Sequence, residues 1–594
     1  MKTIAAKLPN WVEKRYSILW DSFGAKQFNL DSATEVLEEK NKDKASEIPV
    51  YLSELRKAGW LISKLDPSDA RKRIYSLKSR TDMVKDVFSV SKEKLSRRDI
   101  EGILKKAADL IRTRVDYKFI LILLFLKRIS DKWELEYENA YNEALEDSFT
   151  EEQATIEAKN VAYHDFDLPE EYLWENIRKD VNTLPEKFSK ALKKIAELNP
   201  ELKDVVDSVD FVQFAASREN AEILRQLIEL FSEKKLHKVS PDILGDAYEW
   251  ILRYFAPTKA KEGEIYTPRE VIQVLIEILD PKPEESVYDP ACGSAGMLIE
   301  AFKHVEKNFG KDGATKLFLY GQEANQKTIA LAKMNMYIHD IRDSHLDYGD
   351  TFLYPKFKEG DSLKQFNIVI ANPPWNQDGY GEDVLKKGEF WRKRFTYGFS
   401  PRSSADWAWI QHMLASAGDG NTRVGIVIDN GSLFRSGAEQ TIRSQILEAD
   451  LIDSIILLPD KLFYNTGAPG ALIIFKRNKP EERENKVLFI NASKEYKQHP
   501  DVRKLNILEE NNIKKIAETY NEYKQEKGFS RAVTLSEIKE NKHNLNVTLY
   551  VYPEEETEQI DLAKEWQELN SIEKEITENK IKIEEILKEI GWIV

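Results

Sequence analysis

The chain has 594 residues, which is too many for a single hydrophobic core and predicts about three or four domains of roughly 100–200 residues each. Hydrophobic residues make up 42% and charged residues 32%, a balance typical of a folded globular protein and not of a disordered one. The formal net charge of -14 excludes a surface that binds nucleic acid over its whole extent, because phosphate contacts need local positive charge. Any contact with DNA is therefore confined to patches or shared with a partner.

The chain contains one cysteine, Cys292, and eight histidines that are scattered along it. An internal disulfide is therefore impossible, and no cluster with the spacing of metal ligands is present in the sequence. The longest uncharged apolar run, residues 119–126, is far shorter than the roughly 20 residues that span a bilayer, and the N-terminus has no apolar signal core. We expect a cytoplasmic protein that needs neither a metal ion nor a membrane.

Residues 1–80 predict a small domain with the element order of a winged helix. Residues 11–23, 31–39 and 47–58 are amphipathic, and residues 59–77 alternate between apolar and polar positions around a turn, as a β-hairpin does. Six basic and two acidic residues lie between positions 59 and 80: Lys64, Arg71, Lys72, Arg73, Lys78, Arg80, Asp66 and Asp69. This hairpin either contacts phosphates as a wing or belongs to a protein-interaction domain, and the sequence leaves both open.

A second, helical domain is predicted for residues 91–255. Residues 99–128 carry apolar side chains at helical spacing. Within them, the fully apolar stretch 119–126 has to be buried, because it leaves no polar face for solvent.

Residues 256–500 predict an α/β domain, because short β-branched segments alternate with helical ones. Seven strands are predicted, at residues 286–288, 317–322, 345–348, 366–371, 423–429, 452–458 and 471–476. The helical segments that connect successive strands predict a parallel sheet, because a parallel pair needs such a crossover connection. Residues 459–470, which join the last two strands, form a connection too short for a helical crossover, so we expect those strands to pair antiparallel.

Residues 501–594 are strongly charged and predicted to be helical. Apolar residues near the C-terminus recur at separations of three, four and seven, with interruptions: Leu562, Trp566, Leu569, Ile576, Ile583, Leu587 and Ile590. This seam predicts a long terminal helix that packs either on a helix of another chain or on its own domain.

A loop of small residues, 289–296, follows the first predicted strand and leads into a helix. A strand, a small-residue turn and a helix N-terminus expose backbone N–H groups to an anionic ligand group, as in nucleotide sites. The loop lacks the Gly-Lys-Ser/Thr ending of a Walker loop, and it has two of the three glycines of the dinucleotide fingerprint, Gly293 and Gly296. Taken alone, it is also compatible with a tight structural turn.

Acidic residues end the next two predicted strands. Glu323 ends the second strand, where a carboxylate can accept both hydroxyls of a ribose. Asp350 ends the third strand and can accept a hydrogen bond from an adenine amino group, while Phe352 offers an apolar contact. Each acid on its own is also compatible with a helix cap or a solvated charge. Because the carboxyl ends of parallel strands meet at one edge of a sheet, the three loops together predict one nucleotide-like ligand.

The fourth predicted strand leads into Asn372, Pro373, Pro374 and Trp375. The amino nitrogen of adenine is a poor nucleophile because its lone pair is delocalised into the ring. An Asn side-chain oxygen and the carbonyl of Pro373 can accept its two hydrogens and concentrate the lone pair toward an incoming methyl group. The prolines hold the loop rigid, and Trp375 offers a flat face on which an extruded base can stack. The motif therefore predicts methylation of an exocyclic amino group.

In their order along the chain, these motifs resemble the gamma class of amino-methyltransferases, and specifically the modification subunits of Type I restriction-modification systems (HsdM). The resemblance spans about residues 95–550 and includes four longer stretches, 107–132, 404–414, 429–443 and 458–463. It implies an α/β fold: a Rossmann-like, seven-stranded S-adenosylmethionine-dependent methyltransferase core with an α-helical N-terminal domain, the winged-helix-like extension and a C-terminal helical tail. It also implies a site-specific DNA adenine-N6 methyltransferase.

The resemblance also implies roles for individual residues. Asn372 and Pro373 bind the target amino group, Pro374 completes the catalytic motif, and Trp375 and Phe463 sandwich the flipped base. The residues implied to bind S-adenosylmethionine are Tyr266, Thr267, Asp289, Pro290, Ala291, Cys292, Gly293, Ser294, Gly296, Glu323, Asp350 and Thr351. Thr267 and the loop 289–296 hold the methionine part, Glu323 the ribose and Asp350 the adenine.

Three features depart from the pattern of that family. Ala295 stands where glycine is more frequent, Trp375 stands where phenylalanine or tyrosine is common, and residues 1–80 are an addition. Independently of the family, Thr267 begins the sequence Thr-Pro-Arg-Glu, which predicts a capping box at the start of a helix.

The partners that the resemblance implies are double-stranded DNA, a separate specificity subunit that reads the target sequence, a second modification subunit and a restriction subunit. The terminal helix is the predicted docking element for the specificity subunit. Two alternatives stay open. One is an amino-methyltransferase that acts on RNA or on protein glutamine, and the other is a catalytically silent DNA-binding scaffold.

A basic and aromatic segment, residues 386–402, follows the catalytic motif. Its basic residues are Lys386, Lys387, Arg392, Lys393, Arg394 and Arg402, and its aromatic residues are Phe390, Trp391, Phe395, Tyr397 and Phe399. Glu389 is its one acidic residue. The composition predicts a clamp on DNA in which Arg392, Lys393 and Arg394 bind phosphates.

Overall fold

The fold is taken from a computed structural model of the chain. It describes residues 10–24, 26–57, 60–65, 73–78, 97–111, 116–179, 183–203, 205–206, 209–236, 239, 244–245, 247–251, 254–255, 267–463, 466–500, 502–552, 562–589 and 592. Within these residues no helix is long and apolar enough to cross a membrane. The same residues contain no group of three or more His, Cys, Asp or Glu side chains that could hold a metal ion. The chain divides into two compact units, Met1–Ser96 and Arg97–Val594.

The N-terminal unit has the three helices and the hairpin predicted for a winged helix, with one short strand between the first two helices that was not predicted. Its described elements are α1 (Asn10–Phe23), β1 (Phe28–Asn29), α2 (Leu30–Asn41), α3 (Ile48–Lys57), β2 (Leu61–Leu65) and β3 (Arg73–Leu77). The strands lie in the order β1-β3-β2, and both pairs are antiparallel. The helices and strands share one apolar core that includes Tyr16, Leu37 and Leu52. Residues 66–72 of the predicted hairpin and Arg80 lie outside the described residues.

The second unit begins with a helical region, as predicted. Its elements are α4 (Arg97–Ile111), α5 (Lys118–Glu146), α6 (Glu151–Glu157), α7 (Trp174–Ile177), α8 (Leu184–Leu198), α9 (Phe211–Phe214), α10 (Arg218–Ser232) and the 3-10 turns Val161–Tyr163, Glu170–Tyr172 and Pro200–Leu202. The predicted apolar stretch lies in α5, where residues 120–126 are all buried. One turn further on, buried Lys127 and Asp131 form an ion pair at 2.6 Å, so each charge neutralises the other inside the core.

A nine-stranded sheet follows. Its strands are β4 (Ser286–Asp289), β5 (Phe318–Glu323), β6 (Ser344–Tyr348), β9 (Ile368–Ala371), β10 (Arg423–Asp429), β11 (Ile452–Leu457), β12 (Gly470–Lys476), β13 (Lys486–Asn491) and β16 (Ser530–Thr534). Two separate antiparallel pairs are β7 (Lys358–Glu359) with β8 (Ser362–Leu363) and β14 (Lys497–Gln498) with β15 (Asn506–Ile507).

The helices of this region alternate with the strands. They are α11 (Arg269–Leu279), α12 (Gly296–Ala314), α13 (Gln326–Ile338), α14 (Glu382–Leu385), α15 (Trp391–Arg394), α16 (Asp406–Ser416), α17 (Ala438–Glu448), α18 (Glu510–Asn521), α19 (Leu535–Glu540) and α20 (Leu562–Glu589). The 3-10 turns are Asn430–Leu433, Glu481–Arg483 and Val547–Leu549.

The strand order is β16-β13-β11-β12-β10-β9-β4-β5-β6. Strands β6, β5, β4, β9 and β10 are mutually parallel, whereas β12 is antiparallel to both β10 and β11, which confirms the predicted hairpin. The chain runs outward from β4 to β6, then returns to β9 on the other side of β4. In open α/β sheets, ligands bind outside the carboxyl ends of the strands at such a switch point. Asp289 and Asn372 both lie at this point.

The central strands are buried on both faces, as expected for a parallel sheet covered by helices. In β9, Ile368 and Ile370 belong to the apolar core on one face, and Val369 and Ala371 belong to the core on the other. This division follows from the two-residue repeat of a strand. The strand therefore cannot shift by one residue without exchanging its two buried faces, and the loop after it is held in register.

The sheet contains two strands beyond the seven predicted. β13 pairs parallel with β11, and β16 pairs antiparallel with β13 at the edge. β16 was missed because it has five residues and an exposed Arg531, a composition that resembles a loop. From the same part of the chain, α18 contributes Ile513 and Ile516 to the core. The segment after residue 500 is thus not helical throughout.

The terminal helix α20 has an exposed apolar seam. Its side chains from residue 566 to residue 586 are all exposed, and Trp566, Ile576 and Ile583 are 65%, 50% and 56% exposed. Of the two interpretations that the sequence left open, packing on its own domain is therefore not found among the described residues. The seam remains available to another chain.

Candidate active site

The loop 289–296 turns from β4 into α12 and leaves room beside its backbone. The Asp289 carboxylate accepts a hydrogen bond from the Ala291 N–H at 3.0 Å. Gly293 and Ala295 have φ values of 52° and 64°, in the left-handed region that glycine adopts without strain. A Cβ atom at Gly293 would meet no other atom within 4 Å. A ligand can therefore approach the backbone closely there.

Asp289 is a buried carboxyl group, 2% exposed, at the start of this loop. Burial raises the pKa of Asp289 to about 8, with the Ala291 N–H lowering it and the nearby Glu323 carboxylate raising it. A cationic ligand group close to Asp289 would favour its ionised form.

Glu323, at the end of β5, links its own loop to the glycine-containing loop. Its Oε2 accepts a hydrogen bond from the Gly293 N–H at 3.1 Å, and its Oε1 accepts one from the Asn325 N–H at 2.8 Å. Glu323 thus joins the loop after β5 to the loop 289–296.

Asp350, after β6, is held by Tyr380, a residue outside the predicted set. The Tyr380 hydroxyl donates to Asp350 Oδ2 at 2.7 Å, and the Phe352 N–H donates to Oδ1 at 2.8 Å. Burial and the Asp350 carboxylate raise the pKa of Tyr380, so it stays a donor. The Thr351 hydroxyl donates to the Pro290 carbonyl at 2.6 Å, which joins the loops after β6 and β4.

A cavity of about 540 Å³, open to solvent, lies beside these loops. The predicted site residues that line it are Thr267, Asp289, Ala291, Cys292, Gly293, Ser294, Gly296 and Asn372. Five residues that were not predicted also line it: Glu249, Arg269, Ile272, Met297 and Glu300. The Arg269 and Glu300 side chains lie 3.0 Å apart, so the cavity wall carries both signs of charge, which suits a zwitterionic ligand.

Asn372 follows β9, and two side chains fix the orientation of its amide. Its Nδ2 donates to the Thr267 hydroxyl oxygen at 2.8 Å, and its Oδ1 accepts from the indole N–H of Trp375 at 2.9 Å. An amide rotated by half a turn would set its N–H₂ against the indole N–H, donor against donor. The side chain is 9% exposed, so its oxygen is held at the cavity and not in bulk solvent.

Trp375 and Phe463, the predicted base-stacking residues, lie together. Their ring centroids are 4.7 Å apart and the rings meet at 65°, edge to face. A Cβ atom at Gly470, the first residue of β12, would lie 2.7 Å from the Phe463 ring and 3.0 Å from the Trp375 ring. Gly470 therefore makes space for the aromatic pair, and it was missed. A glycine at the start of a predicted strand marks a close approach and was the signal that could have found it.

The segment before α11 brings Thr267 to the catalytic loop. Pro268, and not Thr267, is the N-cap residue of α11, and the Pro268 side chain makes no capping hydrogen bond. The predicted capping box is therefore wrong, and the Thr267 hydroxyl instead accepts from Asn372. Tyr266 lies outside the described residues.

The basic segment 386–402 is only in part available to DNA. Arg394 is 1% exposed and donates to the carbonyls of Phe352 at 2.7 Å and Thr351 at 3.0 Å. Burial lowers the pKa of Arg394 to about 10. The prediction that Arg394 binds phosphate is wrong, because its guanidinium holds the loop that carries Asp350. The exposed basic residues of the segment are Lys386, Lys387, Arg392, Lys393 and Arg402.

Comparison with known proteins identifies the family. A model described as N-6 DNA Methylase matches residues 239–559, and one described as HsdM N-terminal domain matches residues 100–231. The MjaVII methylase subunit, of a Type I restriction enzyme from Methanocaldococcus jannaschii, is 44% identical over 599 residues and covers 99% of this chain and 98% of that protein. This chain belongs to the methylase subunits of Type I restriction enzymes.

The methylase subunit also resembles more distant relatives. The Type I HindI methylase subunit of Haemophilus influenzae is 31% identical, over 68% of this chain and 91% of that protein. The crystal structure of a Type I restriction-modification methyltransferase subunit from Streptococcus thermophilus matches with a TM-score of 0.67 and 25% identity, over 77% of this chain and 100% of that one.

Membership in the family confirms the expected adenine-specific DNA methyltransferase and its α/β fold. A substrate of RNA or protein glutamine is not favoured, because the matching relatives are methylase subunits of restriction enzymes. A silent scaffold is not favoured for the same reason.

Proposed function

We propose that this methylase subunit transfers a methyl group from S-adenosylmethionine to the exocyclic amino group of an adenine extruded from duplex DNA. The sulfonium of S-adenosylmethionine supplies an activated methyl group. The observation that carries the proposal is that the loop 289–296 and Asn372 line the same cavity. A donor held by that loop and an amino group held by Asn372 would share one space, which is the arrangement that direct transfer requires.

The residues around the cavity fit this cofactor. The open space beside Gly293 accommodates a ligand close to the backbone, and Thr267 with the loop 289–296 would hold the methionine part. Arg269, with Glu300 beside it, offers a cation for an amino-acid carboxylate. Glu323 and Asp350 are not in the lining of the cavity but lie at the end of β5 and in the loop after β6. Glu323 would accept the ribose hydroxyls, and Asp350 would accept from the adenine amino group.

The target amino group would be bound by two acceptors on a rigid loop. Asn372 Oδ1 has a second lone pair besides the one that faces Trp375, and the Pro373 carbonyl supplies the other acceptor. Accepting both hydrogens draws the nitrogen lone pair out of conjugation and toward the methyl donor. Because the acceptors are oriented before the base arrives, no strong base is needed. Trp375 and Phe463 would stack on the two faces of the adenine.

We assign the exposed seam of α20 to the specificity subunit. A helix with apolar residues at heptad-like spacing buries them against other helices. Reading of the target sequence then belongs to that partner, which accounts for the acidic charge of this chain. A second methylase subunit and a restriction subunit would complete the assembly, and duplex DNA as substrate implies action in the cytoplasm.

The test measures transfer of a radiolabelled methyl group by the chain co-expressed with its specificity subunit, using duplex DNA, RNA and protein as separate acceptors. We expect label in DNA alone, recovered as N6-methyl-2′-deoxyadenosine after digestion to nucleosides. We expect Asn372→Ala to lower kcat about 100- to 1,000-fold, which is the loss typical when one hydrogen-bond partner of a transition state is removed. Label in RNA or protein, or an unaffected Asn372→Ala variant, would overturn the proposal.

A further inference from the structure

The residue after the catalytic motif, Asn376, has an unusual backbone conformation. Its φ is 54°, in the left-handed region that few residues other than glycine and asparagine adopt readily. The chain therefore changes direction directly after Trp375. The conformation of Asn376 decides where the second end of the catalytic loop points, since β9 fixes the first end.

Asn376 is held through both its backbone and its side chain. Its backbone N–H donates to Asp406 Oδ1 at 2.9 Å. Its side-chain oxygen accepts a hydrogen bond from Nη2 of Arg435, and its side-chain nitrogen donates to Asp429 Oδ2 at 3.4 Å. The left-handed turn is thus fixed by residues that follow it by 30, 53 and 59 positions.

Arg435 joins the groups that hold this turn. Its Nη1 donates to Asp406 Oδ2 at 3.0 Å and to Glu439 Oε1 at 3.2 Å, and its Nη2 also donates to Asp429. The Asp406 and Glu439 residues are each 1% exposed. One guanidinium therefore bridges three carboxylates and the side chain of Asn376, which a lysine with its point charge cannot reproduce. We name Arg435, Asp406, Asp429 and Glu439 the Arg435 cluster.

The next residue of the loop is held by the same helix that carries Asp406. The Gln377 carbonyl accepts from the Ala405 N–H at 2.9 Å, and its side-chain oxygen accepts from the indole N–H of Trp409 at 3.0 Å. The start of α16 and the Arg435 cluster thus fix the loop after Trp375. Two prolines between the fixed ends leave the loop little freedom to turn.

We propose that Arg435 is a positioning residue for methyl transfer: through Asn376 and Asp406 it sets the direction of the catalytic loop and so aims the Asn372 amide and the Trp375 ring at the target base. The inference rests on the proposed function of that loop. Arg435 is not among the residues that line the cofactor cavity. Its effect reaches the reaction through the loop alone, so cofactor binding is independent of it.

The test uses Asn376, an exposed residue, so that the buried carboxylates keep their cation. Asn376→Gly retains a left-handed turn without strain but removes the oxygen that Arg435 binds. Asn376→Asp retains an oxygen acceptor for Arg435. In the complex with the specificity subunit, we expect Asn376→Gly to lower kcat about 100-fold with the cofactor Kd within twofold of wild type. We expect Asn376→Asp to recover part of the loss, because it keeps the oxygen that Arg435 binds but replaces the N–H₂ group that faces Asp429 by a carboxylate oxygen.

Base extrusion is followed in parallel with 2-aminopurine at the target position, where we expect Asn376→Gly to weaken the fluorescence change. Arg435→Lys is expected to lower kcat as Asn376→Gly does and also to lower the melting temperature, because the buried Asp406 and Glu439 carboxylates lose hydrogen bonds. A kcat of Asn376→Gly within twofold of wild type would overturn the proposal, as would equal losses in kcat and cofactor affinity. If the wild-type complex itself transfers no methyl group, the proposed function fails instead.

Discussion

The indole N–H of Trp375 donates a hydrogen bond to the side-chain oxygen of Asn372, three residues before it in the chain. Tryptophan is the one aromatic residue that carries such a ring N–H donor at this position, because phenylalanine has none and the tyrosine hydroxyl lies at the far end of its ring. The departure from the common family residue therefore adds a contact that orients the catalytic amide. Trp375 has two separable properties, its flat face and its N–H.

Substitutions of Trp375 separate these properties. We expect Trp375→Phe to keep most of the stacking but to lower kcat about 10-fold, because one hydrogen bond that orients Asn372 is lost. We expect Trp375→Ala to lose about 1–3 kcal/mol of base stacking as well. Steady-state methyl transfer and 2-aminopurine fluorescence distinguish the two losses. Equal kcat values for Trp375→Phe and wild type would show that the N–H does not matter.

Thr267 offers a matched pair of variants on the other side of the Asn372 amide. Thr267→Val keeps the shape and removes the hydroxyl that accepts from Asn372 Nδ2, whereas Thr267→Ser keeps the hydroxyl. We expect Thr267→Val to lower kcat about 10-fold and Thr267→Ser to remain close to wild type. Single-turnover methyl transfer measures this. A Thr267→Ser variant as slow as Thr267→Val would indicate that the methyl group is what matters.

Asp289 predicts a dependence of stability on pH. Its pKa is about 8 in the folded chain, whereas an aspartate in an unfolded chain has a pKa of about 3.9. The folded state keeps a proton that the unfolded state loses, so the stabilising contribution of this group is complete below about pH 4 and is lost as the pH rises to about 8. The amide side chain of the Asp289→Asn variant is uncharged over this whole pH range, so this variant serves as the reference. We expect the melting temperature of wild type to fall relative to Asp289→Asn between pH 5 and 8, in scans without cofactor. A constant difference would contradict the assignment.

The exposed part of the basic segment predicts a change in salt dependence. We expect the combined variant Lys387→Gln, Arg392→Gln and Arg402→Gln, in complex with the specificity subunit, to bind DNA more weakly. The slope of log K against log salt should become shallower by about 0.9 for each phosphate contact removed. A control of equal charge change replaces three exposed lysines, Lys514, Lys524 and Lys539, by glutamine. An identical slope in both variants would refute the clamp.

The seam of α20 predicts which residues the specificity subunit contacts. We expect truncation after Pro553, or the pair Trp566→Glu and Ile576→Glu, to abolish co-purification of the specificity subunit while cofactor binding persists. Charges placed in a helix–helix seam cannot be buried without a partner. The pair Lys574→Gln and Glu578→Gln, also exposed on α20, is the control. Assembly that survives the truncation would contradict the docking role.

The sheet was predictable from the sequence because its central strands are buried on both faces. Residues 423–429 were predicted as a strand with the bounds they have in the structure, since a continuous β-branched run leaves few other interpretations. β13 and β16 were not predicted. β16 is a short edge strand, whose exposed face gives it the composition of a loop.

The candidate site was predictable wherever a residue follows a strand directly, as Asp289, Glu323 and Asn372 do. The links between loops were not. Tyr380 on Asp350 and Arg435 on Asn376 join residues 30 and 59 positions apart, and no local pattern encodes that pairing. The sequence predicted a phosphate contact for Arg394 as for its basic neighbours, because composition does not show which side chain of a charged segment is buried.

The edge-to-face contact of Trp375 with Phe463 bears on the timing of catalysis. A base held between two aromatic faces needs both rings parallel to it, whereas these rings meet at 65°. At least one ring must therefore move away from the other before an adenine can enter between them, and both rings lie close against Gly470 in the present arrangement. An adenine that returned to the duplex before the rings parted would not be held between them. Capture would then depend on how long the base stays extruded, in addition to the sequence that the partner subunit reads.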